Sequence, residues 1–176
     1  MSVKIGRKIS ALKRANHHLS SQAKRLFLSS VILPDFDYAC TSFATGISSA
    51  ARSRLAALER RALWVACDAG YTEDCYLLYE QLRITPLEER WCTKFAITAY
   101  QCTHGLRAPA ICNLLTPARV STRLAATSGV VPPRSNTKFG TNSFSTRASL
   151  FWNSLPADVR SSSLSQFKLL FHLSKP

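Results

Sequence analysis

Residues 85–105 read TPLEERWCTKFAITAYQCTHG, and this stretch sets the fold class. Thr85 suits a helix N-cap, Pro86 the first helical position, and Glu88 can close a capping box from the third position after the cap. Leu87, Trp91, Phe95, Ala99 and Cys102 then recur at helical spacing, and Gly105 is a natural stop.

The same rhythm extends in both directions. Upstream, Ser48 or Ser49 can cap a helix that carries Leu55, Leu58, Ala62 and Val65 on one face and Arg54, Arg60 and Arg61 on the other, ending at Gly70. A shorter helix spans roughly Glu73 to Leu82. At the amino terminus Ile5, Ile9, Leu12 and Leu19 form one stripe, with Arg7 and Arg14 opposite and Lys4 and Lys13 on the flanks. After a break at Asn16–Ser21, Ala23, Leu26, Phe27 and Val31 share a face while Lys24 and Arg25 point away, until Pro34 interrupts or kinks the helix.

Downstream, a short helix runs from Pro109 to Leu115, and then the chain changes character. Thr116 to Asn142 holds Gly129, Pro132, Pro133 and Gly140 among serines and threonines. Val130–Val131 and Thr137–Phe139 could pair there as a small hairpin around Arg134–Asn136. Two helices close the sequence: Phe144 to Ser154, stopped before Pro156, and Ser163 to Leu173, where Ser163 and Gln166 have capping-box spacing and Phe167, Leu170 and Phe171 dock the helix. The expected fold is mainly α, an irregular multi-helix bundle with one long Pro/Ser/Thr-rich connection. Its parts are a helical body over 1–115, a basic connection over 116–142 and docking helices over 143–176.

Charge is the strongest compositional signal. Of 176 residues, 23 are Lys or Arg and 10 are Asp or Glu, a formal charge of +13. Residues 1–30 hold seven basic side chains and no acid, 31–100 seven basic against nine acidic, and 101–176 nine basic against one. Two cationic ends around a nearly neutral middle point to a polyanionic partner, most simply nucleic acid, ahead of a mere role in solubility. No apolar stretch approaches the roughly 20 residues of a membrane span. Residues 1–30, acid-free and serine-containing, also fit a mitochondrial transit peptide, but their apolar pattern continues directly into Val31–Leu33; a nuclear or cytoplasmic protein is the main expectation.

Catalytic and metal-binding patterns are missing. Cys40, Cys67, Cys75, Cys92, Cys102 and Cys112 include no pair with zinc or redox spacing, and without a secretory signal they read as reduced thiols filling helix faces. Asp35 and Asp37 have no third carboxylate to complete a two-metal site, Glu88 and Glu89 suit the start of a helix, and His17–His18 and His104 read as helix-end residues. There is no nucleophile elbow and no glycine-rich phosphate loop. No cofactor and no metal are expected.

Several stretches, in order, resemble one family. Leu33-Pro-Asp-Phe-Asp-Tyr38-Ala39, Leu58-Glu-Arg-Arg-Ala-Leu63, Leu82-Arg-Ile-Thr-Pro-Leu-Glu-Glu-Arg90, His104-Gly105 with Pro109 and Leu114, Thr122-Arg123, and above all Ser143-Phe144, Arg147, Phe151-Trp-Asn-Ser-Leu-Pro156 and Phe167-Lys168 are similar to motifs of the carboxy-terminal region of non-LTR (LINE-type, chicken-repeat/jockey-like) retrotransposon reverse transcriptases, after the polymerase palm. The first two helices look like that family's lysine-rich pair. The resemblance implies a thumb-like segment that grips template and primer. It does not imply polymerase activity of this chain alone, because the palm's aromatic residue followed by two aspartates is absent. A truncated or degenerate copy of such an element is the preferred origin, with one exon of a longer frame as the other. The expected contacts are with the backbone of RNA or an RNA–DNA hybrid, alongside a separate palm. They would be made by Lys4, Arg7, Lys8, Lys13, Arg14, Lys24, Arg25, Arg123, Arg134, Lys138 and Arg147. The alternatives are a helical protein-interaction or assembly module whose basic ends are incidental, and a transposon remnant with no function.

Overall fold

A computed structural model describes residues 2–118 and 128–173. The chain is mainly α, as its periodicity predicts. It forms two compact units: residues 1–40 with 47–91, and residues 41–46 with 92–176. The compositional boundaries at 115 and 142 mark changes in chain character, whereas the compact units divide inside the long helix Leu87–Thr103.

The first unit is organised around α5 (Ser49–Cys67), which is preceded by α1 (Ser2–Ala15), α2 (Ser21–Phe27), α3 (Leu33–Asp37) and α4 (Cys40–Phe43, shared between the units). Helix α5 (Ser49–Cys67) begins at Ser48, whose hydroxyl accepts the Ala51 N–H, and α1, α2 and α6 (Cys75–Leu82) pack against it. Ile5, Ile9 and Leu12 are fully buried while Arg7 and Arg14 stay exposed, as the spacing predicts for α1.

Helix α2 departs from expectation. Its buried row is Lys24, Leu28 and Ile32, and Leu26, expected inside, is 65% exposed. Between Leu28 and Ile32 the helix widens into a π turn, where the Leu33 N–H reaches back to the Leu28 carbonyl. Pro34 lacks an N–H to donate, and the widened turn lets the chain continue helically through it instead of breaking. Helix α5 ends before Gly70: Asp68 takes the left-handed conformation (φ 56°), and the Ala69 N–H closes on the Trp64 carbonyl. Asp tolerates that conformation because its short polar side chain finds a local role.

In the second unit, the later part of α7 (Leu87–Thr103) packs Ala96, Ala99, Tyr100 and Cys102 with Ala148 and Trp152 of α10 (Phe144–Ser154) and Phe167 of α12 (Leu164–Leu173). Gly105 (φ +67°) stops α7, with the Leu106 N–H returning to the Gln101 carbonyl. Tyr100 donates its hydroxyl to the Ser162 carbonyl at 2.6 Å, and its ring lies 4.7 Å from that of Phe167. Short helices α8 (Pro109–Cys112), α9 (Lys138–Thr141) and α11 (Ala157–Ser161) complete this unit.

The only described sheet corrects the expected hairpin. Strand β1 (Thr116–Pro117) pairs antiparallel with β2 (Val130–Val131), and Thr137 instead caps α9, its hydroxyl accepting the Gly140 N–H. The Trp-Asn pair of α10 fixes β2 from the side. Trp152 donates its indole N–H to the Ser128 carbonyl (3.0 Å), while the Asn153 amide brackets the Val130 N–H (2.9 Å) and carbonyl (2.7 Å). Ser163 and Gln166 form the expected capping box. Phe167 is buried, but Leu170 is exposed rather than docked.

Candidate nucleic-acid interface

The acids of the first unit decide which of its cations are left for a partner. Asp35 takes both Lys4 (3.3 Å) and Lys8 (2.7 Å). The Lys8 ammonium, with Lys4 adding to it, holds the Asp35 carboxyl below the usual carboxylate range. Lys24, expected to face a phosphate, is instead 5% exposed and ion-paired with Asp68, which also accepts a hydrogen bond from the Asn16 amide. Asp68 is likewise held low, first by Lys24 and then by Asn16. The helical wheel excluded Lys24 from the buried face on charge alone. The lysine's aliphatic stem lines that face while its ammonium meets a carboxylate from another helix.

A second cluster lies deeper. Glu59 on α5 is 1% exposed, in the middle of a stripe that is otherwise Leu55, Ala62, Leu63 and Ala66. Its carboxylate accepts from the Tyr79 hydroxyl (2.6 Å), the Leu87 N–H (3.0 Å) and Arg90 (2.6 Å), and Arg90 also contacts Asp37 (3.2 Å) and the Thr85 carbonyl (2.6 Å). Glu59 therefore receives a first-turn N–H of α7, while Glu88, expected to close a capping box, pairs with Arg52 at 2.7 Å. Burial, and then the bond to Glu59, push the Tyr79 phenol well above its ordinary range. Asp35, Asp37 and Glu59 thus all serve ion pairs, and no metal-binding cluster exists among the described residues.

What remains outward on α1 is Arg7, Lys13 and Arg14, exposed and without a carboxylate among the described residues. Arg7 and Arg14 are seven residues apart, so they project from one helix face about two turns apart. Lys13 lies over the Tyr71 ring at 6.0 Å. Arg25 is exposed and donates to the Leu82 carbonyl (3.3 Å), beside an open groove of about 690 Å³ lined by Arg83, Leu26, Leu82 and Ile84. Arg54, Arg60 and Arg83, left out of the expected contact set, are also exposed.

In the second unit, ten basic residues face a single acid, Asp158. Arg134, Lys138 and Arg147 are exposed there, with Arg147 steadied by the Asn142 side chain at 2.7 Å. Arg160 is buried, and its Nε and Nη1 meet no acceptor among the described residues. Arg123 lies outside the described residues. None of the six cysteines is in a disulfide; burial pushes the thiols of Cys67, Cys75 and Cys102 up, away from the reactive thiolate. Among the described residues no helix is long and apolar enough to cross a membrane. No family model, curated protein or solved structure matches the chain.

Proposed function

We propose that this chain is a non-catalytic, sequence-independent nucleic-acid-binding segment, related in role to the template-and-primer grip of a retrotransposon reverse transcriptase. One observation carries the reading. In the first unit Asp35, Asp37, Glu59, Asp68 and Glu88 pair with Lys4, Lys8, Lys24, Arg52 and Arg90, while Arg7, Lys13 and Arg14 of α1 are exposed and meet no carboxylate among the described residues. Cations used only for solubility would not need this sorting. Arg134, Lys138 and Arg147 of the acid-poor second unit supply further phosphate contacts, and Arg123 joins them on sequence grounds. Lys4 and Lys8 contribute after sharing charge with Asp35, whereas Lys24 is withdrawn from the set. The backbone of RNA or an RNA–DNA hybrid is the partner, and a separate palm would bring the reactive centre. Filter binding to an RNA–DNA hybrid over a salt series tests this. Affinity should fall by roughly 0.9 log units per log unit of salt for each phosphate neutralised. Undetectable or salt-insensitive binding rejects the reading.

A second reading, a protein-docking module, draws on the groove beside Arg25, whose floor includes the 65%-exposed Leu26. Capture of an acidic amphipathic peptide that persists in high salt, together with no hybrid binding, would favour it.

A further inference from the structure

We infer that the first unit holds a stacking niche for one unpaired nucleobase, formed by Tyr71 and Trp64 beneath Lys13. This rests on the nucleic-acid reading and refines it from backbone contact to a preference for single-stranded segments.

The niche is a cavity of about 220 Å³ whose walls include Lys13, Asn16, Trp64, Asp68 and Tyr71. Tyr71 is 57% exposed, so much of its ring is open to a guest. Its orientation is set from within: Trp64 meets it edge to face, with ring centres 5.2 Å apart at 86°, and Trp64 is held by its indole N–H on the Glu73 carbonyl at 3.2 Å. A fixed, exposed ring is what base stacking needs, since every base offers a π face whatever its sequence.

The electrostatics select a base with its phosphate over a cationic guest. Asp68, the one carboxylate in the wall, is already bound by Lys24 and Asn16. Lys13 sits above the Tyr71 ring at 6.0 Å, and Arg14 is its neighbour on α1. A quaternary ammonium would meet this positive charge, whereas a nucleotide would place its phosphate against it.

The test compares an eight-nucleotide oligo(dT) single strand with a blunt RNA–DNA hybrid, each titrated against the whole chain and its Tyr71→Ala and Tyr71→Phe variants. Circular dichroism melts establish that the variants are folded. Stacking predicts that Tyr71→Ala weakens oligo(dT) binding roughly tenfold, leaves hybrid binding within twofold, and that Tyr71→Phe restores the single-strand affinity. Equal oligo(dT) affinity for the protein and Tyr71→Ala, with hybrid binding intact, overturns the niche but not the nucleic-acid reading. Binding of tetramethylammonium in place of oligo(dT) also overturns the niche. If neither nucleic acid binds, both readings fall.

Discussion

Glu59 shows how much a single side chain can hold. It is a carboxylate surrounded by apolar α5 neighbours, and it joins that helix to Tyr79 of α6 and to the start of α7. Removing one member of a buried charged cluster strands the rest, which costs about 3–5 kcal/mol. Glu59→Ala should therefore lower the unfolding free energy read from urea titration by that amount, while Glu59→Gln, which keeps hydrogen-bonding atoms, should cost clearly less. Equal small effects of both variants would show that the cluster is not a structural joint. In the second unit Asn153→Ala removes both bonds to Val130 and leaves a strand N–H unsatisfied, an expected loss of about 1–3 kcal/mol read from thermal unfolding. An unaltered melt would contradict the bracketing role. The sequence carried a trace of Glu59, an acid inside a helical stripe of Leu55, Ala62 and Ala66. Nothing local to it announced Tyr79 and Arg90 as partners, because they arrive 20 and 31 residues later.

At the scale of elements, Asp68 ties the ends of three helices together: it caps α5 and binds Asn16 just beyond α1 and Lys24 in α2. Asp35 similarly joins α3 to α1 through Lys4 and Lys8. Both carboxyls are held below their ordinary value of 3.8, so the folded state binds a proton less readily than the unfolded chain. Their stabilisation is complete above about pH 4 and is lost as pH falls through the lowered folded values. Urea midpoints between about pH 7 and pH 2 should fall on the acid side, and the Asp35→Asn/Asp68→Asn double variant should start lower but flatten the fall. An equally steep profile in the double variant would show that these tethers do not set acid stability. Helix existence was legible from apolar spacing and caps: α1, α10 and α12 lie where the pattern puts them, and Ser48 and Ser163 cap as expected. The facing of α2 was not legible. Lys24 and Leu26 both precede the π turn, and their facing is set by Asp68, a carboxylate 44 residues further along the chain that holds the Lys24 ammonium on the buried side.

Across the whole molecule, the charge asymmetry visible in the sequence becomes a division of labour. Nine of the ten acids belong to the first unit, where several hold cations in place; the second unit has one acid against ten bases. Basic composition pointed to a polyanion, but it could not separate Lys24, which is buried structure, from Arg7 and Arg14, which are exposed. The most direct measurement is the salt dependence of RNA–DNA hybrid binding by the protein and its Arg7→Ala/Arg14→Ala variant, whose changes lie on the exposed face of α1 and should leave stability within about 0.5 kcal/mol. If those arginines each neutralise a phosphate, the slope of log affinity against log salt becomes shallower by roughly 1.8 in the variant. Identical slopes in a folded variant would contradict the claim that α1 presents a cationic face to a nucleic-acid backbone.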